Sequence, residues 1–166
     1  MTTATRPSAK NAHGSRKAGA QYSTFFVGDL FFGIDVLSVQ EVLRFQPMTC
    51  VPLAPGVIEG LINLRGQIVT AIDMRRRLGL PPRPTGVYPM NMVVRTEDSA
   101  VSLLVDEIGD VIEVEGTALE PPPANMASEA RELIRGVYQM KDRLLLVLDT
   151  ERTVELGVGV HAHQVT

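Results

Sequence analysis

The chain has 166 residues, 45% of them hydrophobic and 21% charged, with a formal net charge of −3. This is the composition of a globular protein with one domain or two very small ones. Residues 1–20 carry four Lys or Arg and no acid, which leaves 12 basic against 19 acidic residues elsewhere. An acidic body disfavours nucleic-acid binding, which depends mainly on phosphate neutralisation. The longest aliphatic run, residues 144–148, is far shorter than the roughly 20 residues of a membrane-spanning helix, so we expect no membrane insertion.

The chain begins with a segment that predicts no structure and continues with strand signals. Residues 1–20 contain no large apolar residue beyond Met1 and are predicted to be a disordered basic tail. Two apolar runs, 25–27 and 30–34, flank Gly28-Asp29, which predicts a hairpin. The valines at 36, 39 and 42 recur every third residue. That spacing is compatible with either a short helical turn or a bent strand.

The middle and end of the chain add further short strands. Gly66 separates two β-rich runs, and Asp73 is a plausible N-cap for a short basic helix over 74–78. The Pro-rich segment 81–89 predicts a linker or exposed loop. Residues 92–95 and 101–105 predict a second hairpin, 111–114 a further strand, and 134–140 with 144–148 the last pair. Strands of this length and spacing favour barrels or a sandwich.

One spacing occurs twice along the chain. A glycine precedes an aspartate by 13 residues and an arginine follows three residues later: Gly60, Asp73 and Arg76, then Gly136, Asp149 and Arg152. A weaker match lies upstream, where two β-branched residues are three apart: Val39 and Val42, then Ile108 and Val111. The repeat predicts two similar β-subdomains, with the segment 81–89 as the linker between the halves.

No catalytic set can be assembled from the sequence. The three histidines, at 13, 161 and 163, are near the chain ends, and no phosphate-binding loop is present. Cys50 has no histidine near it in the sequence and lies in the apolar run around Val51, which predicts a buried, inert thiol. Arg75 to Arg77 are predicted to lie on the solvent-exposed face of a short helix. A second solvent-exposed face, which is acidic, is predicted for Asp106, Glu107, Asp110, Glu113 and Glu115. We therefore expect no enzyme activity, no cofactor and no metal site.

The segment that begins at Gly60 carries a family signature. Its Gly60-x-x-Asn63-x-Arg65-Gly66 turn runs into an apolar strand and ends in Asp73-x-Arg75. This pattern resembles the signature of CheW-like domains. Residues 32–42 resemble the first hairpin of that family and the segment after it, residues 103–111 its second, and residues 136–149 its last strand pair. The resemblance covers roughly residues 22–155.

The resemblance implies an all-β fold of two intertwined five-stranded Src-homology-3-like barrels with a few short helices. It would span residues 21–156, followed by a flexible tail over 157–166. It also implies a cytoplasmic adaptor that joins the tips of chemoreceptors to the regulatory domain of a CheA-type histidine kinase, in arrays at the inner face of the membrane. The kinase-contacting residues remain unassigned. The positions that match the family's receptor-binding neighbourhood are Val39, Glu41, Val42, Asn63, Leu64, Arg65 and Gly66.

Departures from the family and other functions stay open at this point. Family members usually end in a helix, whereas residues 150–156 are few and Gly157 and Gly159 weaken any extension. Within the adaptor class, the alternative is an adaptor of a non-flagellar pathway, such as surface motility or development. A small-barrel nucleic-acid-binding protein is disfavoured by the acidic body, and a small hydrolase by the missing nucleophile and base. Arg65 is predicted either to present its guanidinium to a partner or to pair with an internal acid and serve the fold.

Overall fold

The computed structural model describes residues 19–116 and 118–155. These form ten β-strands, three α-helices and a 3-10 turn. In chain order they are β1 (Ala20–Val27), β2 (Leu30–Asp35), the 3-10 turn (Val36–Ser38), β3 (Val39–Leu43), β4 (Ile58–Leu64), β5 (Gln67–Asp73), α1 (Met74–Arg77), β6 (Met90–Arg95), β7 (Ala100–Val105), β8 (Glu107–Val114), α2 (Ser128–Leu133), β9 (Ile134–Gln139), β10 (Leu144–Leu148) and α3 (Thr150–Val154). No described helix is long and apolar enough to cross a membrane.

The strands form two five-stranded sheets that exchange elements. Sheet I has the order β8-β1-β2-β10-β9, and sheet II has the order β3-β6-β7-β5-β4. The chain is two repeats, β1 to β5 and β6 to β10. Each sheet therefore takes its first hairpin from one repeat and its other three strands from the other. The predicted fold class, all-β with two intertwined five-stranded units and short helices, is confirmed.

The segment 81–89, named here the proline strap, connects α1 to β6. Both β5, which precedes α1, and β6 belong to sheet II. The strap therefore separates the two repeats along the sequence, but it does not separate the two sheets. The physical reason is the exchange of hairpins, which places strands from both repeats in each sheet.

The two sheets have matching topology. In sheet I, β10 lies parallel to β2, with Leu146 opposite Phe32. In sheet II, β5 lies parallel to β7, with Thr70 opposite Val101. The other strand pairs are antiparallel. Each sheet is thus an antiparallel hairpin joined by one parallel contact to a second hairpin, as the repeat predicted.

Apolar side chains form one large shared core and two small ones. The shared cluster between the sheets includes Phe25, Phe32 and Leu103, all fully buried. Sheet I has its own cluster around Tyr22 and Leu145, and sheet II has one around Ile62 and Val93. Alternate residues of one strand supply two clusters: Met92 and Val94 face the shared core, whereas Val93 faces that of sheet II. Because both faces are covered, these strands are continuous apolar runs.

The repeated Asp-x-x-Arg pattern makes the same contacts twice. Asp73 caps α1 through its side chain, as predicted, and Asp149 caps α3 in the same way. The Arg76 Nη1 donates to the Gly56 carbonyl at 2.8 Å. The Arg152 Nη1 donates to the Glu132 carbonyl at 3.0 Å. Each arginine therefore holds the segment that precedes its hairpin.

Several sequence-based boundaries can be compared with the structure. Residues 36–42 adopt both alternatives, since a 3-10 turn leads directly into β3. The C-terminal helix is short, as expected, and ends at Val154. The N-terminal tail predicted over 1–20 is cut short, because Ala20 already pairs with Val114 in sheet I. Residues 1–18 and the predicted tail 157–166 lie outside the described part of the chain.

Candidate functional site

The sequence-predicted site residues lie on two edges of sheet II. Val39, Glu41 and Val42 are on β3, Asn63 and Leu64 end β4, and Arg65 with Gly66 forms the turn to β5. Strands β3 and β4 are the opposite edges of the sheet. An ion pair between the Arg65 Nη2 and the Glu41 Oε2 joins these edges. We call this pair the clasp; it brings together residues that are 24 positions apart.

The turn that carries Arg65 has an unusual backbone. Leu64 pairs with Gln67, which leaves a two-residue turn. The φ angles are +52° at Arg65 and +90° at Gly66, as in a type I′ hairpin. The Asn63 Oδ1 accepts a hydrogen bond from the Gly66 amide at 2.9 Å. An arginine in the left-handed region costs about 1 kcal/mol or more relative to glycine, so this position carries backbone strain.

Exposure separates the site residues into two groups. The Arg65 side chain is 69% exposed and that of Glu41 21%, and Val42 is 38% exposed. Leu64 is only 6% exposed and packs in the core of sheet II. An ion pair this exposed adds about 1 kcal/mol or less to stability. The clasp therefore fixes the direction of the Arg65 guanidinium more than it stabilises the fold, and Leu64 anchors the turn from inside.

A second set of charged residues forms a half-buried network where the two sheets join. The Arg75 guanidinium contacts Asp106 with Nε at 3.1 Å and Nη2 at 2.7 Å. The Gly28 amide donates to the same carboxylate at 2.7 Å. Arg83, from the proline strap, has its Nε 3.0 Å from Asp106 and its Nη1 3.3 Å from Asp73. This network connects α1, the β1–β2 turn, the strap and the β7–β8 junction.

The network shifts the titration of its central carboxyl group. Burial of Asp106 acts to raise its pKa. The hydrogen bonds from Arg75 and from the Gly28 amide, with the charges of both arginines, outweigh burial and hold the pKa below its usual value. The Asp106 contact also raises the pKa of Arg75. Asp106 is therefore a carboxylate at neutral pH and serves as the common acceptor of the network.

This network corrects two sequence-based predictions. Arg75 and Asp106 were each predicted to face solvent, but their side chains are only 18% exposed and bind each other. Arg77 is half-buried. It donates to the carbonyls of Thr153 at 3.0 Å and Glu155 at 3.1 Å, and burial lowers its pKa. Only Arg76 of the three fits the prediction in part, at 49% exposure.

Other surface predictions have mixed outcomes. Cys50 was predicted to be buried and is exposed. It lies in the connection between β3 and β4, directly after Thr49, which bridges to Leu61 of β4. The prediction of an exposed acidic face is confirmed for the residues of that face other than Asp106: Glu107, Asp110, Glu113 and Glu115. Nowhere in residues 19–116 and 118–155 do three His, Cys, Asp or Glu residues gather as metal ligands. The three histidines lie outside those ranges.

An exposed aromatic pair was missed by the sequence reasoning. Phe45 and Tyr88 are 40% and 68% exposed, and their ring centroids are 4.9 Å apart. They line a cavity of about 310 Å³ together with Glu59, Arg76, Leu104 and the proline strap. No local spacing links residues 45 and 88, so only the pairing of β3 with β6 brings them together.

Comparison with known proteins gives a consistent result. A family model described as the CheW-like domain matches residues 21–157. "Probable chemotaxis protein CheW" of Rhizobium etli is 30% identical over 127 residues, which cover 76% of this chain and 82% of the relative. "Chemotaxis protein CheW" of Bacillus subtilis is 30% identical over 139 residues, covering 84% and 89%. "Protein FrzA" of Myxococcus xanthus is 28% identical over 119 residues, covering 72% and 74%.

The fold also resembles a solved structure. The crystal structure of the scaffolding protein TtCheW from Thermoanaerobacter tengcongensis superposes with a TM-score of 0.69 at 25% identity. The similarity covers 78% of this chain and 88% of that one. Sequence and fold therefore point to the same group of proteins over nearly the whole described chain.

Proposed function

The chain belongs to the CheW-like family of non-enzymatic chemotaxis adaptors, and from this premise we propose that it couples the cytoplasmic tips of chemoreceptors to the regulatory domain of a CheA-type histidine kinase. It does so in the cytoplasm, in receptor arrays at the inner face of the membrane. The observation that carries the proposal is the clasp, which holds an exposed arginine at a strained turn of sheet II. No cofactor is needed for a function of this kind.

The receptor-binding surface is centred on Arg65. A guanidinium held in one direction suits a carboxylate or the last carbonyls of a helix, both of which it can bind with two parallel hydrogen bonds. Val42, the residue after Glu41 on β3, is a partly exposed apolar side chain, and Asn63 and Gly66 shape the turn. Leu64 supports the surface from within the core. Interfaces concentrate their energy in a few residues, among which arginine is enriched.

A charge reversal with a matched control tests the surface. Arg65→Asp replaces attraction with repulsion, which costs about 2 kcal/mol, or about 30-fold in affinity, where the contact is desolvated. Lys141→Asp is the control, because Lys141 lies in the equivalent turn between β9 and β10 of sheet I. We expect R65D to fold and to lose receptor binding in a pull-down, and K141D to retain it. Kinase binding should survive in both.

Two outcomes would contradict the assignment. A folded R65D that binds receptor as well as wild type removes Arg65 from the interface. Unfolding of R65D shows instead that the clasp serves the fold. The double variant E41R/R65E re-forms the ion pair with reversed charges. It therefore separates the contribution of the clasp to the fold from the contribution of the Arg65 charge to receptor binding. We expect E41R/R65E to fold and still fail to bind receptor.

A second candidate function lies within the same class. The similarity to "Protein FrzA", a relative whose name does not mention chemotaxis, favours an adaptor of a non-flagellar pathway, such as surface motility or development. A pull-down from the native cell, followed by identification of the captured kinase and receptors, distinguishes the two. Capture of a kinase from a flagellar system selects the first, and capture of one from another motility or developmental system selects the second.

A further inference from the structure

The proline strap, residues 81–89, is tied at both ends and open between them. At its start, the Leu80 amide donates to the Arg75 carbonyl at 2.7 Å, and the Arg75 Nη1 donates to the Pro81 carbonyl at 2.8 Å. At its end, Pro89 is buried before β6 begins. Between these ties most of its residues are exposed. Four prolines in nine residues restrict φ and make the strap stiff.

Two contacts hold the middle of the strap against the body. One is polar and covered: the Arg83 side chain is only 10% exposed, its Nη2 donates to the Leu104 carbonyl at 3.1 Å, and its Nη1 lies 3.3 Å from Asp73. The other is aromatic and open to solvent: Tyr88 packs on Phe45 at 4.9 Å between ring centroids. Behind the strap is the cavity of about 310 Å³ that Phe45 and Leu104 line.

The polar contact can break without leaving a buried carboxylate alone. Asp106 keeps its contacts with Arg75 and the Gly28 amide, and Asp73 keeps its bond to the Arg75 amide at 3.0 Å. The Arg83 Nε lies 3.0 Å from Asp106, yet it makes no hydrogen bond of acceptable direction. This contact is therefore attraction between charges without the directed bonds that Arg75 makes. Its loss removes one member of the network and leaves the rest paired.

We propose that the proline strap is a latch that Arg83 holds closed, and that it opens to release the Phe45 ring from Tyr88 and to widen the cavity that both line while both sheets stay folded. Gly79 lies just before the strap and Gly86 lies within it, and their φ angles are +74° and +88°. These two glycines flank the Arg83 anchor and supply the changes of chain direction on either side of it. Between Arg83 and Tyr88 the chain forms a turn, closed by a hydrogen bond from the Val87 amide to the Pro84 carbonyl at 3.1 Å, which links a displacement at Arg83 to Tyr88. The latch rests on the contacts of the strap alone and is independent of the receptor-binding proposal.

The absence of tryptophan from the chain allows a single reporter. In a Tyr88→Trp parent, acrylamide quenching of the indole reports how far residue 88 is released from Phe45. Arg83→Gln is added to this parent, and Arg95→Gln, at an exposed position on β6, is the matched control. We expect R83Q to raise the quenching constant about twofold and R95Q to leave it unchanged, as for a local opening. Urea unfolding of each protein monitors the global fold.

The quenching constant and the urea transition together decide whether Arg83 holds a latch. A higher quenching constant with a single cooperative urea transition supports the latch. An unchanged constant in R83Q overturns it, because the strap then stays closed without Arg83. A constant that rises only together with global unfolding also overturns it and makes Arg83 a residue of the fold. If R83Q does not fold, R83M, which keeps the side-chain volume and removes the charge, is measured in its place against the same two criteria.

Discussion

Gly60 and Gly136 occupy equivalent places in the two repeats, and each lies directly against the backbone of a crossing segment. A Cβ added at either would lie 2.7 Å from a carbonyl oxygen, that of Thr49 for Gly60 and that of Glu120 for Gly136. The residues that follow the glycines pair with the same segments, since Thr49 bridges to Leu61 and Glu120 bridges to Val137. The glycine spacing that repeats in the sequence therefore corresponds to a backbone contact that repeats in the structure.

Alanine at these glycines should destabilise the protein. Because the crossing atoms are backbone, they cannot rotate away, so we expect Gly60→Ala and Gly136→Ala each to lower the free energy of unfolding by about 2 kcal/mol or more. Gly56→Ala is the control, since no atom lies within 4 Å of the Cβ position there. Urea denaturation measures all three. Equal stability of G60A and G56A would show that the crossing segment moves aside.

Removing the strain at Arg65 should separate stability from binding. Asparagine tolerates the left-handed conformation better than arginine, so Arg65→Asn should gain about 0.5 kcal/mol from the backbone, and the lost clasp offsets this by a similar amount. We expect an unfolding free energy equal to or slightly above that of wild type, with weaker receptor binding. Calorimetry and a receptor pull-down test the two halves. A variant that is clearly less stable would show that the clasp contributes more than its exposure indicates.

Asp106 should make stability depend on acid pH. Its pKa is lowered in the folded protein, so the unfolded chain binds its proton first as the pH falls. The stabilisation is complete above the ordinary aspartate value of about 3.9 and is lost as the pH drops from there through the folded-state pKa. Asp106→Asn should cost about 3 kcal/mol at pH 7, because it leaves Arg75 and Arg83 unbalanced. Urea unfolding at pH 7 and pH 3 should show this difference shrinking at pH 3.

Deletion of residues 1–18 should leave the melting temperature nearly unchanged. The sequence offers no large apolar side chain there beyond Met1 to bury. The deletion stops before Ala20, because that residue already pairs in β1. Differential scanning calorimetry of the two chains is sufficient. A loss of many degrees would show that the segment docks on the body.

Local signals in the sequence predicted local structure well. Asp73 was recognisable as an N-cap because the cap, the short helix and its glycine stop are consecutive. The Arg65 turn was recognisable because it lies within a single motif. The all-β class followed from the strand lengths and the two similar halves from a repeat whose copies each lie within 17 residues, whereas the intertwined five-stranded units followed from the family resemblance. In each case the informative residues are close together in the chain.

Contacts between distant segments could not be predicted from the spacing of residues along the sequence. Arg75 and Asp106 are 31 positions apart and looked like two separate surface charges. Arg83 sits in a Pro-rich stretch that otherwise predicts an exposed loop, and nothing local marks it as a buried anchor. Cys50 adjoins apolar residues in the sequence, but burial depends on contacts with distant segments, and the Cys50 side chain is exposed. These errors share one cause, which is that burial and pairing are decided by segments that are distant in the sequence.

The exchange of hairpins makes each half of the chain a donor to the other. A fragment ending within residues 81–89 would contain β1 and β2 without the three strands that flank them, and β3 to β5 without the hairpin that fills their sheet. Neither half can complete a sheet as a single copy, so a separately expressed half should fold only when a second half supplies its missing hairpin. Two copies of one half could also supply each other's missing hairpin, since the two repeats pair their strands alike. The topology of the chain is thus that of a strand-exchanged dimer of half-length units joined end to end through the strap.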